Sequence, residues 1–217
     1  MARDAFVLAG EKVLPGQRRQ LDVPVARLYT HTPLNIPVEV VHGRREGPVM
    51  LVCGAIHGDE INGVEIVRRV LKTRSLSRLR GTLIAVPIVN VFGFVQHSRY
   101  LPDRRDLNRC FPGSESGSLG SRIAALFREQ VVDLATHILD LHTGAIHRTN
   151  LPQIRAQLER NEQTRDMADA FGAPVILNAE LRGGSLREYA ERRGIPVLTY
   201  EACLLYTSPS PRDATLS

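Results

Sequence analysis

Val49-Met50-Leu51-Val52-Cys53-Gly54-Ala55-Ile56-His57-Gly58-Asp59-Glu60 is the stretch on which the reading of this chain turns. The apolar run from Val49 to Ile56 has the make-up of a buried strand. It ends in a glycine-containing turn that presents His57 and, three residues later, Glu60 at the mouth of a helix. Behind the turn, Val64, Val67 and Leu71 fall on one helical stripe, with Arg68, Arg69 and Lys72 elsewhere. Asp59 is the expected N-cap. A neutral imidazole and an ionised carboxylate so placed are usual ligands of a catalytic zinc, which takes three protein ligands and leaves one position to water. Alone, His57-x-x-Glu60 is a weak motif, because surface helices carry it by chance.

Upstream, Val23–Leu28 and Ile36–Val41 alternate as strands, with Pro24 and Pro37 marking edges, and Gly47-Pro48 is a turn signal. Downstream, Thr82–Val89 is a second apolar strand. Residues 90–118 are rich in Gly, Pro and Arg and read as a long functional loop. An amphipathic helix follows, with Leu119, Ile123, Leu126, Phe127, Val131 and Leu134 on its apolar face. The segment 137–141 is a third strand ending at His142, and 145–157 a polar loop. The pattern then predicts a helix over 159–171, a strand over 174–177, a helix over 185–193 closed by Gly194, and a strand over 195–200 that delivers Glu201. Apolar strands alternating with amphipathic helices predict an α/β domain with a mostly buried sheet.

Composition narrows the function classes. The 217 residues are 43% hydrophobic and 24% charged, with a net charge of +5. No apolar run approaches membrane-spanning length, and no secretory h-region follows Met1, so a cytoplasmic location with no membrane partner is expected. The cationic residues are nearly all Arg and are scattered in doublets such as Arg44-Arg45, Arg104-Arg105 and Arg192-Arg193. Aromatic residues are only 5% of the chain, so no basic stripe with stacking aromatics is visible and no nucleic-acid partner is expected. Three cysteines without C-x-x-C spacing read as reduced thiols.

His142 changes the weight of the opening motif. It also ends an apolar strand, and together with His57 and Glu60 it completes a His₂Glu set of the kind found in carboxypeptidase A. Four blocks then occur in order: Gly54–Glu60; Arg99 with Asp106-Leu107-Asn108-Arg109-Cys110-Phe111-Pro112-Gly113; Asp140-Leu141-His142-Thr143-Gly144; and Gly194–Ala202. Over roughly Pro37 to Ala202 they resemble the succinylglutamate desuccinylase/aspartoacylase family of the zinc carboxypeptidase superfamily.

The resemblance implies a mixed, mostly parallel central sheet with helices on both faces. It implies one Zn²⁺ per chain on His57, Glu60 and His142, and Glu201 as general base. Arg109 would contact substrate or oxyanion, with Asn108 and Arg99 as further substrate-binding residues. Asp140, two residues before His142 on the same strand face, is either a partner for a ligand imidazole or a structural carboxylate. Arg148, Asn150 and Arg187 are candidates to line the cleft. Arg104 and Arg105 read as a solvated loop, Cys110 as packing, and His97, His137 and His147 as surface histidines.

The expected organisation is an N-terminal β or irregular segment over 1–35 and a catalytic domain over 36–202, incomplete at its C-terminus. Residues 203–217 read as the translation of a sequencing-library adapter. The expected activity is zinc-dependent hydrolysis of a linear amide C–N bond, deacylating a small N-acylated amino acid. A zinc carboxypeptidase acting on peptides and a non-catalytic zinc- or ligand-binding fragment are the alternatives. The sequence is compatible with a homo-oligomer and does not set its order.

Overall fold

The computed structural model describes residues 3–144 and 151–202. A small hairpin, β1 (Phe6–Leu8) and β2 (Glu11–Val13), precedes the main sheet. That sheet contains β3 (Arg18–Arg27), β4 (Pro33–His42), β5 (Arg45–Gly54), β6 (Arg80–Val86), β7 (His137–Thr143), β8 (Gln153–Ala156), β9 (Val175–Asn178) and β10 (Val197–Ala202). Their spatial order is β3-β4-β6-β5-β7-β10-β8-β9. The centre, β6-β5-β7-β10, is parallel throughout. β3 and β4 join it antiparallel on one side, and β8 joins it antiparallel on the other.

Helices cover both faces, as expected for a parallel sheet. They are α1 (Asn62–Val70), α2 (Val91–Gln96), α3 (Leu119–Gln130), α4 (Glu162–Phe171) and α5 (Leu186–Arg192). The period-2 alternation of β5 divides the core between them. Leu51 and Cys53 join Phe127 and Ile123 of α3 and Leu186 and Ala190 of α5. Val52 points the other way, to Val67 and Leu71 at α1, and Ala168 of α4 packs beside Ile154 and Leu198 on a neighbouring patch. Fully burying a side chain such as Phe127 contributes on the order of 1.5–3 kcal/mol.

Several local expectations are corrected. Gly47-Pro48 does not precede the strand but lies in a register shift within β5, between Arg45 and Val49. Pro37 lies in an inner strand, not an edge strand. It is tolerated because β6 pairs β4 only over Glu39–His42, so Pro37 faces β3 alone. The N-cap of α1 is Ile61, with no side-chain cap bond, because Asp59 is drawn into the preceding turn. The 90–118 stretch holds α2 and a short 3₁₀ turn, Leu107–Arg109. β8 lies where the polar loop 145–157 was expected. Its Gln-Ile-Arg-Ala sequence is too short for a periodic signal, and pairing with β10 on one side and β9 on the other makes the strand.

Candidate active site

The site sits at the carboxyl ends of β5, β7 and β10, three adjacent parallel strands, where open α/β sheets gather ligands. β5 ends at Gly54, and the chain turns through Ala55, which is fully buried with φ of 48°. The turn is pinned when Val89 N donates to Gly54 O (3.1 Å) and Asn90 N to Ala55 O (2.9 Å). Gly58 follows His57 where the backbone meets α2. A Cβ there would lie 2.0 Å from the carbonyl carbon of Gly93. His142 and Glu201 lie not in loops but in the strands, as register partners on β7 and β10.

His57 is 3% exposed, Glu60 2% and His142 5%. Their donor atoms all lie within 4.8 Å of one another. His57 Nδ1 is 2.8 Å from Glu60 Oε1, and His142 Nδ1 is 2.8 Å from Glu60 Oε2. The opposite ring nitrogens also face carboxylates: His57 Nε2 is 3.0 Å from Asp106 Oδ1, and His142 Nε2 is 2.8 Å from Asp140 Oδ2. A carboxylate can only accept, so each Nε2 carries its proton outward and each Nδ1 is left facing Glu60. A positive charge is then required between each Nδ1 and the carboxylate, supplied either by a second imidazole proton or by a cation held by all three residues. This donor set fits a zinc ion, with Asp106 and Asp140 fixing the tautomers.

The electrostatics agree. Burial alone would lower the His142 pKa, but Asp140 and Glu60 push it well above the ordinary imidazole value. For His57 burial is likewise overcome, by Asp106 and Glu60. Burial would raise the Glu60 pKa, yet His142 and His57 hold it far below the usual carboxylate range. Glu60 also accepts from Thr143 N at 3.2 Å and from Arg99 Nη1 at 3.3 Å. On the far side of His142, the Cys53 thiol donates to Asp140 Oδ1 at 3.6 Å.

A cleft of about 450 Å³ opens over these residues and is also lined by Glu201, Arg109, Asn108 and Arg99. Burial raises the Glu201 pKa, with His142 and Arg155 opposing. Arg109 is exposed and donates to the carbonyl of Asn108. Asn108 Oδ1 accepts from Leu186 N at 2.8 Å, which ties the Arg109 turn to the start of α5. Arg99 bridges Glu60 and Asp106, its Nη2 lying 3.1 Å from Asp106 Oδ2.

Among the other candidates, Arg187 lines the cleft but is buried, donating to the carbonyls of Ala179 (2.9 Å) and Glu180 (2.5 Å). Arg104 and Arg105 are exposed and lie outside the cleft. Cys110 donates to Asp106 O at 3.3 Å, and burial raises its pKa, so it is a packing thiol. His97 caps α2 in the left-handed conformation, and His137 Nδ1 meets the Thr136 hydroxyl. Arg148, Asn150, His147 and the 203–217 tail lie outside the described residues. Sequence reasoning gave no role to Asp106, Arg155 or Arg182. Asp106 escapes the logic applied to Asp140, because it meets His57 from a turn 49 positions away and not from the same strand. Arg155 is visible only once β8 is seen to pair with β10.

Comparison with known proteins places these features in context. Residues 46–204 match the model of the succinylglutamate desuccinylase/aspartoacylase catalytic domain. An N-alpha-acetyl-L-2,4-diaminobutyric acid deacetylase of Halomonas elongata is 34% identical over 166 residues, covering 73% of this chain and 48% of that protein. The product-bound ectoine utilization protein EutE (DoeB) of Ruegeria pomeroyi superposes with a TM-score of 0.77 at 29% identity, over 91% of this chain and 63% of that one. An aspartoacylase family protein of Mesorhizobium loti gives 0.76 at 28% identity, over 87% and 62%. The chain thus spans about half the length of the curated relative it matches.

Proposed function

The chain belongs to the succinylglutamate desuccinylase/aspartoacylase catalytic-domain family, and from that premise we propose that it is the catalytic core of a zinc-dependent hydrolase that deacylates N-acyl amino acids. The observation that carries the proposal is the convergence of one donor atom each from His57, Glu60 and His142 within 4.8 Å, under a cleft that Glu201 and Arg109 also line.

His57, Glu60 and His142 hold the ion. When bound, Zn²⁺ supplies Lewis-acid polarisation of the amide carbonyl and lowers the pKa of a water molecule. Glu201 accepts the proton of the attacking water on its carboxylate and returns it to the departing amine nitrogen. Its raised pKa suits both transfers. Arg109 faces the cleft with a guanidinium that neutralises the oxyanion as the carbonyl carbon becomes tetrahedral. Water adds across the C–N bond, giving a carboxylic acid and an amine.

The cleft favours an anionic small molecule. Five arginines line it, Arg99, Arg109, Arg155, Arg182 and Arg187, against the two carboxylates Glu60 and Glu201. Its volume of about 450 Å³ is in the range of small-ligand sites, which supports an N-acyl amino acid over a peptide. The test is hydrolysis of a panel of N-acetyl and N-succinyl amino acids, with and without chelator. Release of free amine that stops on chelation and returns with zinc is expected. Absence of turnover on the whole panel by zinc-loaded protein would overturn the proposal.

A further inference from the structure

We propose that a second cleft, at the opposite end of the sheet, binds a compact ligand carrying several phosphate charges. It lies where β4 ends and β5 begins, against the start of β3 and the 3₁₀ turn Arg74–Arg78 that follows α1. β5 runs ten residues from this end to the catalytic end, about 30 Å at the usual rise per residue. The second cleft is therefore separate from the first.

Its volume is about 610 Å³, and every charged group that lines it is an arginine: Arg18, Arg44, Arg45, Arg74 and Arg78. Arg18 is engaged, donating to Glu39 and to Leu71 O at 2.6 Å. The other four have no ion-pair partner among the described residues. The nearby Glu46 is turned to Arg3, at 3.5 Å. Fold topology brings these residues together from segments about thirty positions apart, so the Arg44-Arg45 doublet joins Arg18, Arg74 and Arg78 in one cationic concavity.

The floor is rigid. A Cβ on Gly43 would lie 2.2 Å from Leu79 O, so the β4–β5 turn rests directly on the backbone that follows the 3₁₀ turn. Arg3 clamps it further, donating to Gly43 O (2.9 Å) and Gly81 O (2.7 Å). Arg44 reaches across the mouth to Gly16, where a Cβ would come within 2.8 Å of its guanidinium carbon. Val41, Leu76 and Leu79 provide an apolar wall, which focuses the field of the guanidiniums.

The ligand class follows from the donors. Guanidinium forks match tetrahedral oxyanions through paired N–H bonds. The local hydroxyls are committed to the chain: Thr73 donates to Val70 O and Ser77 to Arg74 O. No Phe, Tyr or Trp lines the cleft, and the His42 ring that does is 2% exposed and held by Thr82 Oγ1 and Asp4 O, so no open ring face is offered to a base and recognition is of phosphate groups.

The test is titration calorimetry of the full chain, stripped of metal, with inorganic pyrophosphate and with ADP. Expected are one saturable site for pyrophosphate, affinity that falls as salt rises, and ADP binding within about threefold of pyrophosphate. Arg44→Gln/Arg74→Gln/Arg78→Gln should weaken pyrophosphate at least tenfold, while Arg109→Ala/Arg182→Ala in the catalytic cleft should leave it unchanged. The single variants Arg44→Gln and Arg78→Gln, each checked for an unchanged thermal midpoint without ligand, should each weaken binding measurably. Four results would each overturn the proposal: no saturable binding; binding untouched by the triple variant; binding lost in the catalytic-cleft variant; or ADP preferred tenfold or more.

Discussion

Glu201 and His142 are register partners on β10 and β7, so the proposed base and one imidazole of the proposed zinc site leave the same face of the sheet one strand apart. That spacing is about 4.8 Å in any sheet, and it places a carboxylate beside the proposed zinc site without relying on loop conformation.

Glu201→Gln keeps shape and burial but removes the proton acceptor. With zinc content unchanged, kcat should fall by about 10²–10⁴. In the metal-free chain burial raises the Glu201 pKa, and kcat/KM at saturating zinc should show an acid limb that the Gln variant lacks. A Gln variant with near-parental kcat would remove Glu201 from the mechanism.

The chain of contacts Cys53–Asp140–His142 predicts graded effects on metal affinity. Asp140→Ala should weaken zinc about 10- to 100-fold. Burial and Asp140 push the Cys53 pKa up, so the thiol keeps its proton and donates. Cys53→Val should weaken zinc less than Asp140→Ala, and Cys53→Ser should preserve it. Competition against a chelating dye reads all three, and equal affinities throughout would show that Asp140 is only a structural carboxylate.

Zinc and protons compete at the same nitrogens, because a ligand imidazole must be neutral. The pKa values of His142 and His57 are raised, so zinc binding near neutral pH should release protons. Calorimetry in buffers of different ionisation enthalpy measures this, and buffer-independent heats would contradict it. Linkage gives the companion sign for the metal-stripped chain. Stability from these two imidazoles is fully present below their unfolded pKa of about 6.5 and is lost as the pH rises through the higher folded values.

Gly58→Ala tests the turn that carries His57. The added Cβ would lie 2.0 Å from the Gly93 carbonyl carbon and 2.2 Å from Phe94 N, both backbone atoms with little freedom to move. A loss of at least about 1–3 kcal/mol in urea unfolding is expected. Parental stability would mean that the turn and α2 are not in close contact.

The strands that carry the site were legible because Val49–Ile56 is a continuous apolar run, the mark of a strand buried on both faces, and because 137–141 and 195–200 are mostly apolar and end next to His142 and Glu201. What escaped was decided by tertiary pairing. β8 is four residues long and is held between β10 and β9, and Pro37 is tolerated because β6 stops short of it. In the site, His57, Glu60 and His142 could be found by residue type and position. Arg99 could not be placed so easily: expected at the substrate, it is bonded to Glu60 and Asp106. Asn108, expected beside it, spends its side-chain oxygen on the N-terminus of α5. Sequence order shows which polar residues are present, but not which of them the fold has already paired.

The claim on which the account rests is that His57, Glu60 and His142 form one zinc centre. Metal analysis of purified chain after zinc loading and desalting tests it most directly, beside His57→Ala and Glu60→Gln controls shown to be folded by circular dichroism. One zinc per parental chain, and less than about a tenth of that in either variant, is the predicted result, given that the loss of one of three ligands should weaken binding well beyond the 10- to 100-fold of an outer partner. Parental protein without stoichiometric zinc, or folded variants that retain it, would contradict the account.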